Sequence, residues 1–268
     1  MTTTHHSLRT AEAGSVDLTV DDRGDGHPFL LLHGGAGPQS VAGFAELMAT
    51  RHGVRVITPI HPGFAATPRP ERLDSVAGLA ALYAALLDQL DLHEVTVLGN
   101  SIGGWIAAEL ALLDPSRIGS LILVSAVGIE VPGHPVADFF SLTLDQVFEL
   151  SYHDPAPFRV DPATLPAPAQ AAIAGNRAAL AVYAGASMLD AGLAERLQRI
   201  SVPTLVLSGD SDRMVDPDYG RAFAAAIPGA RFQLLTATGH VPQLETPDQL
   251  REVVWEFVDL NARRAVSG

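Results

Sequence analysis

A hydroxyl, an imidazole and a carboxylate can together cleave an acyl bond, and this chain carries each in a setting that frees its side chain. Ser101 lies in V-T-V-L-G-N-S-I-G-G-W, residues 95–105. Four residues suited to a buried strand run into Gly99-Asn100-Ser101-Ile102-Gly103, and residues 104–113 read as a mostly apolar helix. The serine therefore occupies a sharp strand-to-helix turn. A Cβ at position 99 or 103 would crowd the backbone there, so the hydroxyl is pushed outward as a candidate nucleophile. A serine is weak until a base takes its proton, and an imidazole does this best when a carboxylate fixes its tautomer. His240, in A-T-G-H-V-P, follows the last predicted strand and is the candidate base. The candidate acids are Asp210 and Asp212, in G-D-S-D-R-M-V just after a predicted strand at 204–207. In an open parallel sheet the loops bearing all these residues leave the same edge, where residues distant in sequence converge.

The rest of the chain reads as the scaffold for that edge. Residues 16–20 alternate apolar and polar, and 21–27 supply turn residues, which predicts an opening antiparallel hairpin. Further strands are predicted at 29–32, 54–58, 118–125 and 231–235. Between 74 and 90, Leu79, Leu82, Tyr83, Leu86, Leu87 and Leu90 form one helical stripe. Strands alternating with helices, with continuous apolar strands, imply an α/β fold whose mainly parallel sheet has helices on both faces. Near the end, T-P-D-Q at 246–249 combines an N-cap threonine, proline at the first helical position and a capping-box glutamine.

The rhythm breaks after Val127, and no strong strand follows until Thr204. About seventy structureless residues inside a compact domain would be unusual, so this stretch is predicted to be a helical insertion over the strand ends. The expected organisation is a core of residues 1–131 and 200–268 with a helical cap at 132–199. Phe139, Phe140, Phe148, Tyr152, Phe158, Tyr183 and Met188 lie in it; most are expected to form its own small core and a few to face a pocket. His134, His153 and Arg159 read as solvated or structural there.

With Lys+Arg 17 against Asp+Glu 30, the net charge of −13 disfavours a nucleic-acid surface or binding to acidic membranes. The absence of cysteine excludes a disulfide framework, a thiol nucleophile and a thiolate metal site. The first ten residues lack the apolar core of a secretion signal, and His5 and His6 read as part of a mobile polar tail. A cytoplasmic location is the expectation. The loop H-G-G-A-G-P at 33–38 has Ser40 where a dinucleotide fingerprint needs its third glycine, and no Gly-Lys pair for a P-loop. Asp210, Asp212, Asp216 and Asp218 lack the glycine and terminal glutamate of a calcium loop.

With H-G-G, G-N-S-I-G-G, G-D-S-D and G-H in order over nearly the whole length, the chain resembles the α/β-hydrolase-fold serine hydrolases. The resemblance implies the eight-stranded sheet of that family. It makes Ser101 the nucleophile, His240 the base and then the acid, and Asp212, three residues after the glycine, the orienting carboxylate. The oxyanion hole would use the N–H of Ile102 and one from Gly35 or Ala36, with His33 a structural residue beneath that loop. No role is assigned to His61.

A serine rather than an aspartate at the turn argues against epoxide hydrolase and haloalkane dehalogenase chemistry. The expected reaction is hydrolysis of a carboxylic ester or lactone of a small, largely apolar substrate, with no metal or organic cofactor. Two alternatives stand beside it. Asn100 and the glycines after His33 resemble the carbon–carbon bond hydrolases of vinylogous diketones, although those enzymes commonly carry an aromatic residue where Val241 stands. A ligand-binding or non-hydrolytic biosynthetic role on the same fold is the other.

Overall fold

The computed structural model describes residues 1–267. The chain opens with β1 (Thr2–Thr10) and β2 (Gly14–Arg23), followed by β3 (Pro28–Leu32), α1 (Gln39–His52), β4 (Arg55–Pro59), α2 (Val76–Gln89), β5 (Val95–Asn100), α3 (Ile102–Leu113) and β6 (Ile118–Val124). After β6 come α4 (Leu144–Ser151), α5 (Ala167–Ala184) and α6 (Leu193–Leu197), and then β7 (Thr204–Gly209), α7 (Pro217–Ala225), β8 (Arg231–Leu235), α8 (Pro242–Glu245) and α9 (Pro247–Ser267). The eight strands form one sheet in the order β1-β2-β4-β3-β5-β6-β7-β8. β1 and β2 are antiparallel to their neighbours, and every other pairing is parallel.

Why the inner strands are apolar end to end follows from the two layers of helices. Leu30, Val97 and Leu121 pack on the face covered by α2, α3 and α7. Their strand neighbours Leu31, Leu98 and Ile122 pack on the opposite face, against α1 and α9. Successive side chains point to opposite faces of a strand, so both sets must be hydrophobic when both faces are buried. From β3 the chain steps outward to β4 and then returns to β5 on the other side. The loops leaving β3 and β5 therefore open onto a crevice at the point where strand order reverses, which is where ligands bind in such sheets.

Several expectations need correction. The opening hairpin joins β1 to β2, and β2 pairs next with β4 rather than with β3. His5 and His6 are paired residues of β1, opposite Thr19 and Leu18, and not a tail. Only Leu8 of β1 is buried, so this edge strand lacks the apolar alternation by which strands are recognised, and its threonines are the one available cue. Helix α1 had no predicted counterpart, although Val41, Phe44, Ala45 and Met48 form its buried stripe. At α9 the capping box does not form. Gln249 instead brackets Thr236, accepting from its N–H at 2.7 Å and donating to its carbonyl at 3.2 Å, and so ties the helix to the end of β8. No helix among the described residues is long and apolar enough to cross a membrane.

Candidate active site

Ser101 sits between β5 and α3 with φ 57° and ψ −120°, a conformation that costs a non-glycine residue of order 1–3 kcal/mol. The surroundings hold it there. Its N–H donates to Val124 O at 2.9 Å, and its carbonyl accepts from Gly104 N at 2.9 Å. A Cβ at Gly99 would overlap the carbonyl of Gly103, and one at Gly103 would overlap those of Leu32 and His33. Only glycine lets α3 start this close to β5 and β3.

The loops that carry Asp212 and His240 meet beside it. His240 Nδ1 lies 2.9 Å from Asp212 Oδ2, while Asp212 Oδ1 accepts from the N–H groups of Met214 at 2.9 Å and Val215 at 3.1 Å. An ionised carboxylate only accepts, so Nδ1 carries the proton and a neutral His240 keeps its lone pair on Nε2. Asp210, the rival acid, faces elsewhere. It accepts from Ala237 N at 3.0 Å and Thr238 N at 3.3 Å, and so shapes the loop that leads to His240. Asp216 caps α7 through Tyr219 N and pairs with His134, which holds the His134 imidazolium above its ordinary range.

Four residues that support this pair carried no sequence-level signal for the task. Asn100 donates to His240 O at 2.9 Å and accepts from Gln243 Nε2 at 3.1 Å. Ser151 O, at the end of α4, accepts from His240 N at 2.7 Å. Glu245 accepts from Gly239 N at 2.6 Å with one oxygen, and from His153 N at 2.8 Å and Asp154 N at 3.0 Å with the other. Arg213, just after the acid, donates to the carbonyls of Glu149 and Tyr152. A glutamate at the end of a one-turn helix reads in sequence as surface charge. Here it clamps the base loop to the segment after α4.

Ser101 and His240 open onto one cavity of about 320 Å³, together with Asn100, Gly35 and Ala36. Most of the remaining wall comes from between β6 and β7 and is apolar. Phe139, Phe148, Tyr152 and Met188 line it, and the three rings also pack on neighbouring aromatic rings of the same stretch. Tyr152 stacks on Phe158 with ring centroids 4.3 Å apart. His134, His153 and Arg159 are not among the lining residues; they bond to Asp216, Ser211 and the pair Asp145 and Glu149, respectively. Arg177 on α5 is the one cation on the wall. Its Nη2 donates to Phe139 O at 2.8 Å and Leu142 O at 3.1 Å, and its guanidinium lies 4.8 Å from the centroid of the Phe139 ring.

Beneath the loop that follows β3, His33 is fully enclosed, and burial pushes its imidazole down to about 4. His61 lies beside it and is also held well below the ordinary range, by burial and then by the neighbouring ring. Both stay neutral in the folded protein as pH falls, whereas in the unfolded chain they take up protons near pH 6.5. Stability is therefore complete above about pH 6.5 and declines as pH drops towards 4, by about 3 kcal/mol for His33 alone. Urea midpoints at pH 7.5 and 5.0 should differ in that direction. An unchanged midpoint would mean that these rings are not held neutral.

Residues 29–253 match the alpha/beta hydrolase family. The chain belongs to it. Among curated relatives of this hydrolase, a 2-hydroxy-6-oxo-2,4-heptadienoate hydrolase of Pseudomonas putida is 29% identical, over 93% of this chain and 95% of that one. A poly(3-hydroxyalkanoate) depolymerase of Ectopseudomonas oleovorans is 30% identical, over 98% and 92%. In three dimensions a thermophilic esterase from Thermogutta terrifontis superposes with a TM-score of 0.78 at 23% identity, covering 97% of this hydrolase and 99% of the esterase, which is a likeness of fold. These three are named as a hydrolase, a depolymerase and an esterase.

Proposed function

We propose that this hydrolase cleaves a carboxylic ester or lactone of a small, largely apolar substrate through an acyl-enzyme on Ser101. The observation that carries the reading is the meeting of Ser101 with the His240–Asp212 pair at one apolar cavity. The substrate carbonyl carbon accepts Ser101 Oγ as the hydroxyl proton passes to His240 Nε2. The C–O bond to the leaving alkoxide then breaks, and the imidazolium supplies the proton that alkoxide needs. Water repeats the sequence on the acyl-enzyme, giving up a proton to His240, and collapse releases the acid and restores Ser101. Asp212 stabilises the imidazolium in both halves. Charge on the carbonyl oxygen is met by the N–H of Ile102 and by one from Gly35 or Ala36, none of which makes a hydrogen bond among the described residues. Residues 132–199 serve as a cap that supplies the apolar wall, and residues 1–131 and 200–268 as the core that carries the chemistry.

Arg177 favours a second reading, carbon–carbon bond hydrolysis. A guanidinium on a largely apolar wall, with no carboxylate partner among the described residues, suits a substrate anion. The P. putida relative is named for a substrate that is itself a carboxylate. Turnover of neutral p-nitrophenyl esters, compared with that of a 2-hydroxy-6-oxodienoate, separates the readings. A kcat/KM far higher on the dienoate would overturn the ester assignment. Arg177→Gln should raise KM on a substrate bearing a remote carboxylate by about tenfold to a hundredfold, the range of a charge-assisted hydrogen bond, and leave a neutral ester nearly unaffected. Equal effects on both would remove Arg177 from anion recognition.

A further inference from the structure

Tyr83 is a fully buried phenol on α2, whose other buried side chains are almost all aliphatic. A phenylalanine would fill the same volume without the cost of burying a hydroxyl. The hydroxyl has a partner, His61 Nδ1, at a short hydrogen-bond distance. From there a chain of bonds runs to the first glycine loop. His61 N–H donates to His33 Nε2 at 3.2 Å, so His33 carries its proton on Nδ1, which donates to Gly34 O at 2.8 Å. His61 Nε2 faces His33 O at 2.9 Å and must be the donor, which leaves its Nδ1 to accept from Tyr83. The two rings lie 3.7 Å apart, centroid to centroid. Three of the four ring nitrogens face backbone groups that can play only one part, and the fourth, His61 Nδ1, follows from the tautomer they fix.

The two carbonyls held this way, those of His33 and Gly34, are consecutive in the loop beside Ser101. Gly34 O also receives Gly37 N–H at 3.1 Å. In a planar trans peptide the N–H points opposite to the preceding C=O. With Gly34 O drawn to the His33 ring, Gly35 N–H points away from it, and Gly35 lines the cavity with Ser101. We infer that His61 and Tyr83 are positioning residues for the oxyanion site: through His33 they orient the Gly34–Gly35 peptide and so aim the Gly35 N–H. The inference rests on Ser101 being the nucleophile.

The test removes one oxygen atom. Tyr83→Phe should lower kcat on p-nitrophenyl butyrate about tenfold with KM within twofold, less than the ~10²–10³ that outright loss of an oxyanion donor costs. Fluorophosphonate inactivation should slow in the same proportion, because its phosphoryl oxygen uses the same donors. Rates are referred to active sites counted by burst titration, so that misfolded protein does not enter. The ¹⁵N spectrum of the wild-type imidazoles supplies a readout without turnover: at pH 7.5 His33 should carry its proton on Nδ1 and His61 on Nε2, and Tyr83→Phe should shift only the His61 pattern strongly. An unchanged kcat in Tyr83→Phe, or the opposite tautomer at His61, overturns the inference while leaving Ser101 in its role. A wild-type protein that neither turns over esters nor labels would fail the nucleophile reading and take this inference with it.

Discussion

Ser101→Ala should fold like the parent and lose ester turnover by a factor on the order of 10³ or more. The fold is expected to survive because the backbone of residue 101 is held by bonds from its own amide and carbonyl, to Val124 and from Gly104, which alanine retains. The chemistry is expected to vanish because alanine leaves no oxygen at this position and the chain has no cysteine. What turnover remains would come from substrate binding and the oxyanion N–H groups, which act without the nucleophile. Circular dichroism and the thermal midpoint check the first half of the expectation, and initial rates on p-nitrophenyl esters check the second. Retention of most activity would move the nucleophile elsewhere.

Asp212→Asn and Asp210→Asn should separate widely, although the two aspartates stand two residues apart. At position 212 an amide in place of the carboxylate no longer compels His240 to carry its proton on Nδ1, and it does not stabilise the imidazolium. The loss in an equivalent arrangement is about 10⁴-fold in kcat. The geometry at Asp210 is a backbone clamp on Ala237 and Thr238. An asparagine there keeps one acceptor and forfeits the other, so the expected cost is about 1–2 kcal/mol of stability and less than tenfold in kcat. Urea unfolding and steady-state kinetics on both variants give the comparison. The reverse ranking would make Asp210 the acid.

Those two aspartates also mark how far sequence reasoning reaches. G-D-S-D offers two carboxylates within three residues of a strand end, and the residues alone leave both open. Family spacing favours Asp212, and the structure places that side chain, not Asp210, against His240. The strand-turn-helix around Ser101 was legible because its signals are local: an apolar strand, three glycines and the start of an apolar helix in eleven residues. The parallel sheet was legible for the same reason, since burial on both faces leaves continuous apolar runs. β1 was not, because an edge strand need bury little and Leu8 alone does so. Helix α1 escaped notice although its stripe was present, interrupted by Gly43 and opening after a glycine-rich loop.

The site's supporting contacts were the least visible. His61, Tyr83, Glu245 and Ser151 come from four separate stretches of chain, and their bonds exist only once the sheet has brought the loops together. In sequence, Tyr83 is one more member of an apolar stripe and His61 a polar residue before a proline. Which of the aromatic side chains line the cavity was not legible for a related reason. Aromatic residues in an insertion are apolar whether they pack on one another or on a substrate space, and composition does not distinguish the two. Arg177 is the one cation among the described residues lining the cavity, which makes it the natural discriminator between neutral and anionic substrates.

The most direct test of the activated serine is mass-spectrometric mapping after exposure of the folded protein to a fluorophosphonate. The expected result is a single adduct on the peptide carrying Ser101, formed rapidly in the wild type, strongly slowed in His240→Ala and absent in Ser101→Ala. A folded wild-type protein that acquires no adduct, or acquires one on another residue at the same rate in all three proteins, would contradict the account.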